Sequence, residues 1–188
     1  MKDVLRVVIA FATIMANAAF ADEDDSGGSH ASPAAEPTWG YSITAYPTQV
    51  RGGESYTSAI AVADRGQLHL EARYNYESVG ARSAFVGWIF SGGENVTWKL
   101  TPLLGGAWGT TQAFVPGFEA AAASGRLDIY VEAEYVRDNA EQTDSYIYAW
   151  SELGFRPAEW LRAGFAGQRT RVYGGNRDIQ RGPFAQVT

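Results

Sequence analysis

Apolar and polar residues alternate along most of the chain after Trp39, with a period of two residues. The clearest runs are LHLEARYNYE at 68–77 and LDIYVEAEYVR at 127–137, in which every second residue is apolar. Shorter runs at 96–100 and 114–121 follow the same rule. Because successive side chains of a β-strand point to opposite faces, these runs predict strands with one apolar face and one polar face.

Turn-forming residues divide the region after Trp39 into about ten strands. We expect these strands near 39–47, 55–63, 67–77, 82–90, 95–104, 112–123, 127–137, 144–155, 160–172 and 179–188. The connections alternate between short turns and longer polar or glycine-rich loops, with the short turns at 64–66, 91–94, 124–126 and 156–159. This alternation is typical of outer-membrane barrels. The sequence therefore predicts an all-β fold, an antiparallel up-and-down transmembrane β-barrel of about ten strands, within a range of about eight to twelve.

Aromatic residues give a second indication of a membrane barrel. The ends of the strands with short turns are expected to carry Trp39, Phe90, Trp98, Phe155 and Trp160. The opposite ends are expected to carry Tyr46, Tyr56, Tyr74, Tyr76, Trp108, Phe114, Tyr135, Tyr146 and Tyr173. Two belts of aromatic side chains are typical of proteins that meet both interfaces of a bilayer. Between the belts, we expect lipid to contact Leu70, Ala72, Trp98, Leu100, Phe118 and Val131.

The first 38 residues carry two different signals. Residues 1–21 combine Lys2 and Arg6 with the apolar run VVIAFATIMA and end in Ala-Phe-Ala, the pattern of a cleaved signal peptide. Residues 22–38 are acidic and then rich in Gly, Ser, Pro and Ala, which predicts a flexible linker. The predicted organisation is thus a signal peptide at 1–21, an acidic linker at 22–38 and a barrel at 39–188, located in the cell outer membrane.

Composition removes several classes of function. The 188 residues contain no cysteine, which excludes disulfides, thiolate metal centres and cysteine nucleophiles. A net charge of -6 provides no overall basic surface for nucleic acid. The two histidines, His30 and His69, lie in no recognisable metal-binding or cofactor-binding motif. We therefore expect no cofactor, no metal and no nucleic-acid partner.

The segment GFRPAEWL at 154–161 resembles a periplasmic hairpin, Arg-Pro-x-x-Trp-Leu, of the small outer-membrane β-barrel proteins of Gram-negative bacteria, a broad porin-like class. The alternating strands tipped with aromatic residues extend this resemblance over residues 39–188. It implies a barrel that is inserted by the barrel assembly machinery and surrounded by membrane lipids, and it carries no catalytic residues. The final residues FAQVT depart from the pattern, because strands that close such barrels usually end in an aromatic residue.

Charged side chains on strands that cross a bilayer are expected to face the interior of the barrel. This predicted lumen-lining set comprises His69, Glu71, Arg73, Lys99, Glu119, Asp128, Glu132, Glu134, Glu152 and Arg162. Two interpretations follow. In a plugged structural barrel the charges pair completely and fill the narrow interior. In a porin-like pore, acids face the late arginines Arg169, Arg171 and Arg181, and an acidic excess gives weak cation selectivity for ions or small solutes.

Other classes are less well supported. A lipid-modifying enzyme needs a histidine beside a hydroxyl nucleophile, and the expected position of His69 is at the end away from Ser58 and Ser83. We therefore expect no enzyme activity. A soluble lipocalin-like barrel would carry apolar residues inside and polar residues outside, which is the reverse of the predicted arrangement. A barrel that presents its outer loops to interaction partners remains open beside the structural one.

Overall fold

The computed structural model describes residues 8–9, 37–49, 54–172 and 177–187. The strands are β1 (Val8–Ile9), β2 (Trp39–Gln49), β3 (Tyr56–Arg65), β4 (Leu68–Tyr74), β5 (Arg82–Trp88), β6 (Phe90–Gly92), β7 (Thr97–Trp108), β8 (Ala113–Ser124), β9 (Leu127–Asp138), β10 (Tyr146–Ala158), β11 (Leu161–Val172) and β12 (Arg177–Val187). A short 3₁₀ turn, Gln142–Asp144, precedes β10. In the described part of the chain, no helix is long and apolar enough to cross a membrane.

Neighbouring strands of the sheet are antiparallel and follow chain order, β1-β2-β3-β4-β5-β7-β8-β9-β10-β11-β12, with β6 also on β7. The short strands β5 and β6 share one register on β7, with Gly87 opposite Leu103 and Phe90 opposite Leu100. They therefore act as one strand that is interrupted at Ile89. The all-β class, the antiparallel order and the ten predicted strands are confirmed.

The sheet is open, so the predicted closure into a barrel is not seen. Within the described residues, no ladder joins β2 to β12, the two long strands at the ends of the sheet. The edge of β2 that a closing strand would use is instead occupied at one end by β1, through Val8 opposite Gln49 and Ile9 opposite Thr48. The two residues of β1 belong to the predicted signal peptide, and the predicted linker lies almost entirely outside the described residues.

The sheet is nevertheless strongly curled. Arg73 on β4 lies 3.2 Å from Glu132 on β9, although β5, β7 and β8 separate these two strands. Four strand spacings in a flat sheet would hold them about 19 Å apart. The curl gives the sheet an enclosed concave face, which contains His69, Glu71 and Arg73, and a convex face, which contains Leu70. Residues an even number of positions apart on a strand, and residues directly opposite each other on neighbouring strands, point to the same face, and we say that they have the same phase.

The two faces have the reverse of the polarity found in water-soluble proteins. On β4, the concave His69, Glu71 and Arg73 are 2%, 5% and 4% exposed, whereas the convex Leu70 is 37% exposed. The same alternation runs through β5 and through parts of β7, β8 and β9. Large exposed hydrophobic residues cover the convex face, and Trp39, Trp88, Trp98 and Trp108 are among them. The alternation that predicted the strands thus also separated the charged face of β4 and β9 from their apolar face.

The buried apolar core is small and lies on the concave face near the longer loops. It is formed by Phe85, Leu103, Ala107, Ala113, Val115 and Val136, with Tyr146 packed against it. Phe85 lies directly opposite Gly105 on β7. A side chain at Gly105 would meet the Phe85 ring, so this glycine provides the space in which the ring lies.

Four tyrosines predicted for the outer aromatic belt have the phase of the concave face or point into it instead, namely Tyr46, Tyr56, Tyr76 and Tyr146. The Tyr76 hydroxyl contacts Glu132 and Tyr148, and the Tyr146 hydroxyl donates to the carbonyl of Glu77 at 3.3 Å. Their hydroxyl groups satisfy buried oxygen atoms, a role that an aromatic count does not reveal. Tyr74, Trp108 and Phe114 remain exposed at this end, and Tyr173 lies outside the described residues.

We predict that Gly105→Ala lowers the free energy of unfolding by about 1–3 kcal/mol, the usual effect of overpacking a close-packed site. The added Cβ would lie 2.6 Å from the carbonyl oxygen of Ala84 and would overlap the Phe85 ring. Gly40→Ala is the matched control, because nothing lies within 4 Å of a Cβ at that position. Urea unfolding of the refolded protein, followed by tryptophan fluorescence, measures both. Equal stability of the two variants would contradict this packing.

Candidate functional site

Arg73 is the centre of the largest group of buried charges. Its Nε donates to the carboxylate of Glu71 on the same strand. Its Nη1 lies 2.7 Å from Oε1 of Glu134 and 3.2 Å from Oε1 of Glu132, both on β9. One guanidinium therefore meets three carboxylates from two strands that are distant in the sheet. We call these four residues the Arg73 cluster.

Aromatic rings cover the guanidinium from two sides. The Arg73 Cζ lies 4.4 Å from the centre of the Phe85 ring and 4.5 Å from the centre of the Tyr76 ring. Cation–π contacts at this distance are favourable, particularly where water is excluded. The space left by Gly105 therefore positions Phe85, and Phe85 in turn supports Arg73.

Tyr76 reaches the cluster because the backbone reverses at Asn75. Asn75 has a φ of 55°, in the left-handed region that asparagine tolerates better than most residues. Its Oδ1 accepts from the Gly80 N–H at 2.7 Å, and its Nδ2 donates to the Thr57 carbonyl at 2.9 Å. Simple alternation through 68–77 predicts Tyr76 on the face of Tyr74, and this is wrong since the reversal turns Tyr76 inward.

The Tyr76 phenol joins β4 to the strands across the concave face. Its hydroxyl donates to Oε2 of Glu132 at 3.1 Å and lies 3.3 Å from the hydroxyl of Tyr148. Burial, followed by the charge of Glu132, raises the pKa of Tyr76 well above its ordinary value. The phenol therefore stays protonated and remains a donor to the carboxylate.

His69 extends the polar chain toward the short-turn end of the sheet. Its Nδ1 lies 2.7 Å from Asp64, and its Nε2 lies 3.3 Å from Glu71. A carboxylate only accepts hydrogen bonds, so both contacts are satisfied together when both ring nitrogens carry a proton. Because carboxylates occupy both nitrogens, neither is directed at a hydroxyl nucleophile. Lys99 lies at the margin, 3.8 Å from Asp64, with its side chain 43% exposed.

A second ion-pair group surrounds Arg162 on β11. Its Nη1 donates to Glu152 at 2.6 Å, and its Nε donates to Asp128 at 2.8 Å. Its Cζ lies 4.7 Å from the centre of the Phe184 ring on β12. Trp150 donates its indole N–H to Glu152 at 2.9 Å. This group ties β9, β10, β11 and β12 together.

Glu119 is the remaining acid of the predicted set, and it lies directly opposite Glu132 in the β8–β9 ladder. Like charges opposite each other on one face of a sheet are destabilising unless other groups offset them. The Tyr130 hydroxyl donates to Glu119 at 2.9 Å, and Arg73 and Tyr76 contact Glu132. Each of the two carboxylates therefore has its own partner.

The structure thus brings eight of the ten predicted lumen-lining residues into two groups. The Arg73 cluster with His69 forms the first, and Arg162, Asp128 and Glu152 form the second. Lys99 and Glu119 lie outside both groups. Sequence reasoning missed Asp64, which contacts His69, and Tyr76, Tyr148 and Trp150, which contact the acids or one another. Tyr148 and Trp150 occupy the same phase as Glu152 on β10, so alternation could have identified these two. No group of three or more His, Asp or Glu residues in the described segments is arranged to hold a metal ion.

The late arginines do not face these acids. On β11, Arg162 points into the concave face, and the register to β12 is continuous, so Arg169 and Arg171 have the opposite phase and are exposed. Arg181 on β12 is exposed on the same convex side. The arrangement predicted for a porin-like pore, in which the acids face Arg169, Arg171 and Arg181, is therefore not formed.

Comparisons of the chain with models of protein families, with curated proteins and with solved structures give no match. Any functional conclusion therefore depends on the geometry and polarity of the two faces.

We predict that Arg73→Met lowers the free energy of unfolding by about 3–5 kcal/mol, because it leaves buried carboxylates without their cation. Adding Glu132→Gln and Glu134→Gln to Arg73→Met should restore most of the loss, since fewer charges then remain unpaired. Arg126→Met, at an exposed turn position, is the control and should change stability by less than about 0.5 kcal/mol. Urea titration of the four proteins tests this, and a triple variant no more stable than Arg73→Met would contradict it.

Proposed function

We propose that this protein is an integral outer-membrane β-sheet protein with a structural role, whose interior is filled with paired side chains and does not conduct. The observation that carries this proposal is the reversed polarity of the sheet, with charged residues buried on the concave face and large apolar residues exposed on the convex face. A bilayer is the environment in which that arrangement is favourable.

The size of the exposed apolar surface supports a lipid surrounding. Soluble monomers rarely expose apolar patches larger than a few hundred Å². Here the convex positions of consecutive strands present Val86, Leu104, Phe118 and Ile129, each at least 39% exposed, with further apolar residues around them. Trp88, Trp98 and Phe155 are exposed toward the short-turn ends, and Tyr74, Trp108 and Phe114 toward the other, an arrangement compatible with the two interfaces of a bilayer.

Contacts across the concave face support a filled interior. Arg73 contacts Glu132 and Glu134, Tyr76 contacts Tyr148, and Tyr146 donates to the backbone of Glu77. Each of these contacts joins the β4 side of the sheet to the β9–β10 side. Side chains that meet across the enclosed space obstruct an aqueous path through it.

Closure of the sheet in the membrane is part of the proposal. Ten long strands, with β5 and β6 counted as one, alternate in direction, so β2 and β12 run antiparallel and can pair. Cleavage after Ala21 would remove β1 and free the edge of β2. An unpaired strand edge is unfavourable in hydrocarbon, which favours pairing of β2 with β12 once the protein inserts.

A narrow cation-selective pore is the second candidate. It is favoured by the excess of acid in the Arg73 cluster, where three carboxylates meet one guanidinium. Hydrated cations would compensate that excess if water entered the interior.

We predict that Leu70→Arg lowers the free energy of unfolding by about 2–4 kcal/mol for protein refolded into phospholipid vesicles, the penalty for an arginine on a lipid-facing position. Ala140→Arg, which introduces the same side chain into an exposed loop, is the control and should have little effect. Unfolding by urea in the presence of vesicles measures both. If Leu70→Arg were no more costly than Ala140→Arg, the convex face would not contact lipid.

We predict that the refolded protein gives no discrete current steps in planar bilayers, since ion pairs fill its interior. Cation-selective steps that lose selectivity in the Glu132→Gln, Glu134→Gln double variant would instead favour the pore. Vesicle flotation of the same preparation establishes that the protein has inserted, so absence of current can be attributed to the filled interior.

A further inference from the structure

The charges of the strands are segregated by face and by sign. Among strand residues whose side chains the structure describes, every Asp and Glu has the phase of the concave face. Every charged residue with the phase of the convex face is an arginine, namely Arg65, Arg82, Arg137, Arg169, Arg171 and Arg181. The apolar convex face therefore carries positive charge alone.

These arginines are concentrated at one end of the sheet. Arg82 begins β5, opposite Tyr74 and Trp108, and Arg137 lies opposite Phe114 near the end of β9. Arg169 and Arg171 lie at the same end, in the last four residues of β11, and Arg181 lies nearer the middle of β12. Only Arg65 of the six is at the short-turn end. We call Arg82, Arg137, Arg169, Arg171 and Arg181 the arginine rim.

The densest part of the rim is on β11 and β12. Arg181 pairs with Gly167, and Arg169 pairs with Ile179, so Arg169 and Arg181 are diagonal neighbours on one face. Diagonal neighbours on a sheet are about 7–8 Å apart, and Arg171 follows two residues after Arg169. Glycine opposite Arg181 leaves that guanidinium free of a cross-strand side chain.

This concentration of charge is not compensated within the described part of the chain. None of Arg169, Arg171 and Arg181 forms an ion pair with a described residue. Like charges side by side on a sheet destabilise it. An anion from outside the chain would offset this repulsion and would find no carboxylate of the convex strands competing with it.

We propose that the arginine rim, centred on Arg169, Arg171 and Arg181, binds the phosphate of a lipid headgroup. Guanidinium groups form bidentate hydrogen bonds with phosphate oxygens. The exposed Phe165 and Ile179, which have the same phase as the arginines, provide apolar surface for the acyl part of the same molecule. A partner with a phosphate and a hydrocarbon chain complements both features, whereas free phosphate or nucleic acid complements only the charge.

This inference rests on the proposed membrane location, because a rim on the convex face meets headgroups only if that face lies in a bilayer. It also distinguishes the two ends of the sheet by the lipids that they contact. The end with the longer loops is the end at which the protein selects phosphate-bearing lipids, and the short-turn end lacks this selection.

The test compares vesicles of phosphatidylcholine alone, phosphatidylcholine with phosphatidic acid, and phosphatidylcholine with oleate. The last supplies an anionic carboxylate without an added phosphate. Lipid that remains with the protein after detergent extraction is identified by native mass spectrometry. We expect enrichment of phosphatidic acid over oleate, and no competition from inorganic phosphate at equal concentration. Equal retention of both anions would overturn phosphate selectivity, and displacement by inorganic phosphate would indicate a site for the free ion.

The variant Arg169→Gln, Arg181→Gln should lose this enrichment by about fivefold for each arginine, hence about 25-fold for the pair. The matched control is Arg65→Gln, Arg126→Gln, which removes the same charge at the short-turn end and should keep the enrichment. Arg169→Lys, Arg181→Lys keeps the charge but loses the planar fork, so intermediate retention is expected. Equal losses in the two Gln variants would overturn the assignment to the rim.

Failure of this inference is distinguishable from failure of the proposed function. Protein that does not float with phosphatidylcholine vesicles would contradict the membrane location. The same lipid comparison in mixed detergent micelles then decides whether the rim binds phosphate-bearing lipid. Protein that floats but retains no phosphatidic acid would refute the rim alone.

Discussion

The ion pairs of Arg73 with Glu132 and Glu134 are the interaction on which the curvature of the sheet depends. Strands β4 and β9 are four steps apart, and these contacts form only if the sheet curls until its concave side chains meet. Burying charges carries a large desolvation penalty that excellent geometry and extra hydrogen bonds must offset. Here those additional contacts come from Tyr76, Phe85 and Glu71. The positions of Tyr76 and Phe85 depend in turn on local features of the chain, the left-handed backbone of Asn75 and the absence of a side chain at Gly105.

Once the charges occupy the concave face, the strict alternation of a strand determines the character of the other face. Residues between Glu71 and Arg73 or between Glu132 and Glu134 must point outward, and both of these residues are alanine. Their neighbours in the same phase include Leu70, Phe118 and Val131. Hydrophobic burial therefore contributes little to the interior of the isolated chain, and the apolar surface gains stability only from an apolar surrounding. The polar network fixes the shape, and the surrounding medium determines whether that shape is stable.

The sequence was sufficient for the features that follow from local periodicity. The short turns indicated the antiparallel order. Alternation gave the ten strands and the faces of Leu70 and Glu71, because each of these depends on residues two apart. It failed at Tyr76, where one left-handed residue shifts the phase. The error for Arg169, Arg171 and Arg181 has another cause, because these residues were assigned by charge although alternation from Arg162 places them on the outer face. Contacts such as Arg73 with Glu132 join residues far apart in sequence, and no local pattern contains their pairing.

The state of the sheet edges connects the open structure to the proposed membrane form. At one end of β2, the backbone of Thr48 and Gln49 is paired with β1, which lies in the predicted signal peptide. If that peptide is removed, both outer strands of the sheet have unpaired backbone groups, and water satisfies these groups only outside hydrocarbon. Since β2 and β12 run in opposite directions, one antiparallel ladder would satisfy both edges together. Signal-peptide removal and membrane insertion would then favour the same closure, and an open sheet before that step is consistent with the proposed function.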